Sequence, residues 1–139
     1  MEVKAVNIAL IVAGSLAILA AAVHGGAGEV LVIRQLSTER LAPSPFGGPR
    51  MTKAMIHVTW HMTTVAFLTA GSSLLVSGTV LHGDAAKGIA VVAAAAMTAF
   101  AALAAGLGAA HMRSPRSLFR HPAPALLTLT AALAWLGAL

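Results

Sequence analysis

Cysteine is absent from this 139-residue chain, and charged residues are scarce. Without cysteine there are no disulfides, thiolate metal sites or thiol nucleophiles, so histidine and carboxylate are the only strong ligand types left. Charged residues make up 9% of the sequence and hydrophobic residues 58%, whereas about a quarter of the residues in a soluble domain are charged. With a mean hydropathy of +0.87, this composition argues against a soluble fold and predicts an integral membrane protein.

Four apolar stretches predict an all-α protein, a four-helix transmembrane bundle with up-down-up-down topology that forms a single domain. The predicted spans cover about residues 5–33, 52–77, 85–110 and 123–139. The connector 37–50 is rich in proline and glycine, which break helices, and is predicted to be a surface loop. The last span is only just long enough to cross a hydrocarbon core of roughly 30 Å.

Basic residues gather in two of the connections between spans. Seven of the nine lie on the side of the first and third connections, namely Arg34, Arg40, Arg50, Lys53, Arg113, Arg116 and Arg120, and the other two are Lys4 and Lys87. This bias predicts that the basic side is cytoplasmic, in a bacterial inner membrane, with both termini outside. Because topology accounts for the net charge of +5, the expected partner is the lipid bilayer and not a nucleic acid.

Small residues recur at helical spacing in two spans. The stripes are Ala13, Ala17, Ala21 and Gly25 in the first span, and Ala94, Thr98, Ala102, Gly106 and Ala110 in the third. Such stripes allow helices to approach closely in lipid. They are predicted to pack the helices of one molecule, and the alternative is an interface with a second copy or a partner membrane subunit.

Nearly all the histidines fall on the basic side of the predicted bundle. These are His24 at the end of the first span, His57 and His61 at the start of the second, His111 at the end of the third, and His121 before the fourth, while His82 is on the other side. If Lys53 lies at the membrane interface, His57 and His61 are about one and two helical turns deeper, on one helix face. An ionisable group at such depth is a candidate functional residue.

Two histidines four residues apart on a helix can chelate one metal ion, and a carboxylate or a further imidazole can complete the site. The sequence therefore predicts a site for a divalent metal ion, built from His57, His61 and one or more of His24, Glu29 and His111, with Trp60 and Thr64 in support. Haem b bound by histidines of two helices is a second hypothesis. In a third, the imidazoles only form hydrogen bonds between helices, and Trp60 anchors near the interface.

Glu29 has an alternative role as an ion-pair partner of Arg50 or Lys53, and Arg34 could neutralise a carboxylate of a neighbouring helix. His24 and Glu29 are five residues apart, about 140° around a regular helix. They converge only through long rotamers or a distortion at the glycine-rich run 25–28.

Motifs of the common catalytic templates are absent. The sequence has no Gly-x-Ser-x-Gly, phosphate loop or His-Glu-x-x-His, and no second carboxylate within the spans for acid–base pairing. This weakens the enzyme hypothesis. It leaves a non-catalytic accessory or assembly subunit of a larger membrane complex as the rival to a metal-binding protein.

Three short segments together match a known pattern. They are His24-Gly25-Gly26-Ala27-Gly28-Glu29, Trp60-His61-Met62-Thr63-Thr64 and His121-Pro122. They resemble a group of small bacterial four-span membrane proteins in which His-x-x-x-Gly-Glu closes the first helix and Trp-His-x-x-Thr/Ser lies in the second. The matching positions are His24, Glu29, Trp60, His61 and Thr64, whereas His57 and His111 rest on topology alone. The group has no assigned activity or cofactor, so the resemblance implies no catalytic role.

Overall fold

The computed structural model describes residues 6–111 and 121–139, with the backbone alone for His111. These residues form four long helices and no β-strand, which confirms the all-helical class. The helices are α1 (Ile8–Ala22), α2 (Pro49–Thr79), α3 (Gly83–His111) and α4 (Pro122–Ala138).

The first helix changes its winding after Ala22. Two π-helical segments, Val23–Ala27 and Glu29–Ile33, continue it, so that one apolar helix of 26 residues runs from Ile8 to Ile33. A π-helix bonds each residue to the one five positions away, which widens the turn. The helix is therefore distorted at the glycine-rich run 25–28, where the sequence had allowed a distortion.

The predicted surface loop between α1 and α2 contains one ordered turn, a 3₁₀ helix at Thr38–Arg40. The second helix begins at Pro49, three residues before the predicted start at Thr52. Proline suits the first helical position because its φ is already helical and its missing N–H has no partner there. The connector is tied to α2 where Lys53 Nζ donates to Leu36 O at 2.7 Å.

Helix α1 packs against α2 and α4, and α3 packs against the same two helices. Asn7 joins three helix ends, since its backbone N–H donates to Gly78 O at 3.0 Å and its Nδ2 to Gly137 O at 2.8 Å. Its Oδ1 also accepts from Leu10 N at 3.2 Å and so caps α1. The start of α1 therefore meets the ends of α2 and α4, and the histidines of α1 and α2 lie at the opposite end.

Glycine allows α1 and α2 to cross closely. A Cβ added to Gly14 would lie 2.7 Å from Gly71 O, and one added to Gly71 would lie 2.9 Å from Gly14 O. Real carbon–oxygen contacts are longer than this, so neither position accepts a side chain without a shift of the helices. The crossing fixes the height of α1 against α2.

The small-residue stripe of α1 packs as predicted, because Ala13, Ala17 and Ala21 are buried. The stripe of α3 does not. Ala94 is buried, but Thr98, Ala102, Gly106 and Ala110 are exposed, and α3 packs instead through Ala90, Ala93, Ala94, Met97 and Ala101. Small residues follow the 3.6-residue helical period on both the predicted face and the packed face of α3, so the period alone did not identify the packed face.

Three helical stretches in the described ranges are long and apolar enough to cross a membrane: Ile8–Ile33, Pro49–Thr79 and Gly83–Ala110. In the most apolar 18-residue stretch of each, only 33%, 33% and 28% of the residues, respectively, are buried inside the protein. Most of this apolar surface is thus left for a non-aqueous surrounding, as a membrane protein requires. Pro122–Ala138 is apolar but shorter, with 17 residues.

Candidate metal centre

Helix α2 supplies the two imidazoles of the centre. His57 and His61 are one turn apart, and their ring centroids are separated by 4.9 Å with the rings tilted by 51°. The uninterrupted helix that starts at Pro49 places both rings on one side, as residues four apart require. About half of each side chain is exposed, 47% for His57 and 43% for His61.

The π-helical end of α1 supplies the carboxylate. In this segment Arg34 N donates to Glu29 O at 2.9 Å, a bond across five residues. The wider turn brings residues five apart close to the same side, whereas regular α-helical winding separates them by about 140°. Glu29 is consequently presented to α2, and Arg34 lies over it on the next turn.

One carboxylate oxygen meets both imidazoles. Glu29 Oε2 lies 3.1 Å from His57 Nε2 and 3.4 Å from His61 Nε2, and the ligand atoms of the three residues all lie within 4.8 Å of one another. Neighbouring ligand atoms around a tetrahedral zinc ion are about 3.3 Å apart, given bonds of about 2.0–2.1 Å. The two separations from Glu29 Oε2 are therefore close to the distance between neighbouring ligands of one zinc ion.

The other carboxylate oxygen is held by arginine. Arg34 Nε donates to Glu29 Oε1 at 3.2 Å. The two oxygens thus have separate surroundings, because Oε1 faces the guanidinium and Oε2, which is shielded from solvent, faces the two imidazoles. The sequence had suggested Arg34 as a partner for a carboxylate of a neighbouring helix, and the pair with Glu29 was not predicted. The available signal for this pair is the five-residue spacing of Glu29 and Arg34 beside a glycine-rich run.

His24 lies apart from the cluster, although the sequence placed it among the ligands. Its Nδ1 is 3.0 Å from Thr64 Oγ1, and its ring stacks on Trp60 with centroids 4.2 Å apart. Trp60 Nε1 also donates to the His24 carbonyl at 2.9 Å. Thr64 Oγ1 also lies 3.4 Å from Trp60 O, so this threonine contacts both the ring of His24 and the backbone of its own helix.

The same contacts define what Trp60 and Thr64 do. Both were predicted to support the metal site, and in the structure both hold His24 and so join α1 to α2 directly beside the cluster. A Cβ on Gly25 would lie 2.7 Å from Thr64 Cγ2, and one on Gly28 would overlap the Trp60 ring. The missing side chains of these glycines allow the π-helical segment to lie against α2 at the height that brings Glu29 to the histidines.

The remaining histidines have other positions. The side chain of His111 lies outside the described residues, so its predicted role as a ligand stays a prediction. His121 caps α4, since its Nδ1 accepts from Ala123 N at 3.3 Å. His82 is exposed in the turn between α2 and α3, at the opposite end of the molecule.

Comparisons with protein-family models, curated proteins and solved structures find no match for this chain. In the part of the chain that the structure describes, the fold and the side-chain geometry define a helical protein with three apolar helices of membrane-spanning length and a cluster of one glutamate and two histidines.

Proposed function

We propose that Glu29, His57 and His61 bind a divalent metal ion in a membrane-embedded helical bundle. The observation that carries this proposal is the meeting of three ligand atoms at one point, with Glu29 Oε2 at 3.1 and 3.4 Å from the two imidazole nitrogens. Glu29 Oε2 is shielded from solvent and faces both imidazole nitrogens, whereas Arg34 pairs with the other oxygen, Oε1. A positive charge between Oε2 and the imidazoles would stabilise the carboxylate on its histidine side. A metal ion at the common point supplies that charge.

The donor set narrows the choice of metal. Two imidazoles and one carboxylate are ligands of catalytic zinc sites and of non-haem iron(II) sites, both of which keep at least one further position for a non-protein ligand. The guanidinium on Glu29 Oε1 serves as an outer partner that orients the ligating carboxylate, as is usual around such centres. Zinc and iron(II) are therefore the ions to test first.

The geometry favours a single ion over haem. His57 and His61 belong to one helix and their ring centroids are 4.9 Å apart, too close for the rings to occupy opposite faces of a porphyrin. The haem hypothesis would pair one of them with a histidine of another helix, and His24 of α1 stacks on Trp60 outside the cluster of Glu29, His57 and His61. Three ligand atoms that meet at one point suit a single ion better than a planar cofactor.

The membrane setting is the second part of the proposal. All four helices cross the inner membrane of a bacterium in up-down-up-down order, with the basic connections in the cytoplasm and both termini outside. The contacts of Asn7 with Gly78 and Gly137, which gather alternate helix ends, support this order. Membership in the small four-span group defined by the His-x-x-x-Gly-Glu and Trp-His-x-x-Thr segments is part of the same proposal.

Orientation is tested by reporter fusion. An alkaline phosphatase fused after Leu139 is expected to be active, because the enzyme folds only outside the cytoplasm, and a green fluorescent protein fused there is expected to be dark. The reverse result would contradict the orientation inferred from the arginine and lysine distribution.

Metal binding is tested on purified protein by elemental analysis and by titration with Co²⁺, which reports its ligands through visible absorption. One ion per chain is expected. His61→Ala should weaken binding by roughly 100-fold, since it removes one of three protein ligands. His82→Ala is the matched control, because this exposed histidine lies at the other end of the molecule, and it should bind as the unaltered protein does.

The rival function is that of an accessory or assembly subunit, in which the polar cluster only ties α1 to α2, within a homo-oligomer or beside a partner membrane subunit. In that case no stoichiometric metal is found, and His61→Ala lowers stability without any change in metal content. Equal metal content of His61→Ala and His82→Ala would thus refute metal binding at the cluster.

A further inference from the structure

The cluster of Glu29, His57 and His61 is closed on one side and open on the other. On the α1 side, Glu29 is 19% exposed, and its Oε2 is shielded from solvent. On the α2 side, both imidazoles are nearly half exposed and line a groove of about 610 Å³. A molecule approaching the cluster from outside the protein therefore reaches the histidines along this groove.

The walls of the groove are almost entirely apolar. Apart from the two histidines, it is lined by Val58, Met62, Val65 and Ala66. Val58, Met62 and Val65 are exposed, by 61%, 65% and 60%, on a helix long and apolar enough to cross a membrane. The groove thus runs from the cluster along the outer face of α2, in the direction of the hydrocarbon core.

Among the described residues, three supply ligand atoms at this point. Zinc with three protein ligands takes a fourth from outside the protein, and iron(II) takes more. The Glu29 side is occupied by α1 and by the Arg34 guanidinium, so the free coordination position faces the imidazole side.

We infer that this position is filled from the bilayer, by a molecule that carries a nitrogen or oxygen donor at the end of a hydrocarbon chain. The donor coordinates the ion between His57 and His61, and the chain lies in the groove against Val58, Met62 and Val65. This inference rests on the proposed metal binding. It adds the class of ligand, an amphipathic molecule dissolved in the membrane, as distinct from a water-soluble anion or metabolite.

A polar ligand is disfavoured by the same groove. The described residues that line it offer no hydrogen-bonding side chain beyond the two imidazoles, so polar groups along the body of a ligand would lose their water without compensation. Methylene groups, in contrast, leave water favourably in such surroundings.

The test uses two neutral, monodentate probes that differ only in chain length, 1-methylimidazole and 1-hexylimidazole. Each is titrated into the Co²⁺-loaded full-length protein in detergent, and binding is read from the cobalt absorption bands. A half-covered chain should gain about twofold per methylene, so the hexyl compound should bind about 30-fold more tightly. Two tryptophan variants separate the groove from simple uptake of the probe by detergent.

Val65→Trp fills the groove, whereas Val76→Trp places the same side chain on the same helix at an exposed position outside it. Both variants are expected to retain cobalt. The preference for the hexyl compound should stay unchanged in Val76→Trp and fall by roughly tenfold in Val65→Trp, because three or four methylenes lose their cover.

The outcomes are distinct. A chain-length preference that Val65→Trp reduces and Val76→Trp leaves intact supports the inference. The same preference in both variants, or none in the unaltered protein, overturns the lipid-phase ligand while the metal site stands. Failure of the unaltered protein to bind cobalt overturns the metal site itself, and the ligand inference with it.

Discussion

Replacing Gly28 with alanine tests whether the close approach of the π-helical segment to α2 sets the position of Glu29. A Cβ at Gly28 would lie 3.0 Å from Trp60 Cε2 and 3.1 Å from Trp60 Nε1, and closer still to the edge of the ring. Carbon atoms in contact prefer separations of about 3.5–4.0 Å. The indole is held by its bond to the His24 carbonyl, so the helix must move by roughly 0.5–1 Å.

That movement has a cost in stability and a cost in binding. Overpacking of this kind typically destabilises a protein by about 1–3 kcal/mol. Since Glu29 is the next residue, it moves with the helix, and its distances to the two histidines no longer suit one ion. Displacement of a metal ligand through its surroundings commonly lowers affinity by roughly 10- to 100-fold.

Gly26→Ala is the matched control, because an added Cβ there meets no atom within 4 Å. Both substitutions gain the same helix propensity, about 0.8–1.0 kcal/mol over glycine, so their difference isolates the contact with Trp60. Thermal unfolding followed by circular dichroism and Co²⁺ titration are the two measurements. Equal cobalt affinity in the two variants would show that the fit of Gly28 against Trp60 does not position the carboxylate.

Three further outcomes are expected. His24→Phe should keep one metal ion per chain, because the ring lies outside the cluster and phenylalanine can stack on Trp60. It should lose about 1 kcal/mol of stability with the Thr64 hydrogen bond. Loss of metal would show that His24 is a ligand. Gly71→Val should destabilise the protein by about 1–3 kcal/mol at the crossing of α1 and α2. Gly106→Val is the control and should not, because an added Cβ there meets nothing within 4 Å. Similar unfolding temperatures of the two variants would contradict the close crossing. Zinc at 100 times its Kd should raise the free energy of unfolding by about 2.7 kcal/mol. This gain should disappear in acid, because only neutral imidazole binds metal. A gain independent of pH would point to ligands other than histidine.

Part of the candidate site was predictable from local spacing. His57 and His61 are four residues apart in a long apolar segment, and an α-helix places such residues on one face whatever surrounds it. The all-helical class follows from composition in the same way, because a chain with 58% hydrophobic residues has to satisfy its backbone within helices when it is surrounded by lipid.

The choice between His24 and Glu29 was not predictable. On a regular helix the two residues point about 140° apart, and either could have faced the histidines of α2. The π-helical winding and the contacts of Gly25 with Thr64 and Gly28 with Trp60 turn Glu29 toward the cluster and His24 toward the threonine. None of these contacts is encoded in the spacing of one segment.

The packed face of α3 shows the same limit. Its alanine-rich sequence offers several faces with nearly equal small-residue content, so the stripe from Ala94 to Ala110 was a reasonable expectation. In the structure α3 turns Met97 and Ala101 inward and leaves Ala102 outside. Periodicity limits the faces available, and contact with the other helices selects one.

The sequence by itself determined that this protein is helical and apolar, and that two of its histidines share a helix face, because those properties follow from composition and from the geometry of one helix. Only the tertiary structure decided that Glu29 joins them and that Arg34 holds its other oxygen. The physical reason is that the height and rotation of α1 against α2 are set where glycines allow close contact, at Gly14 with Gly71 and at Gly28 with Trp60.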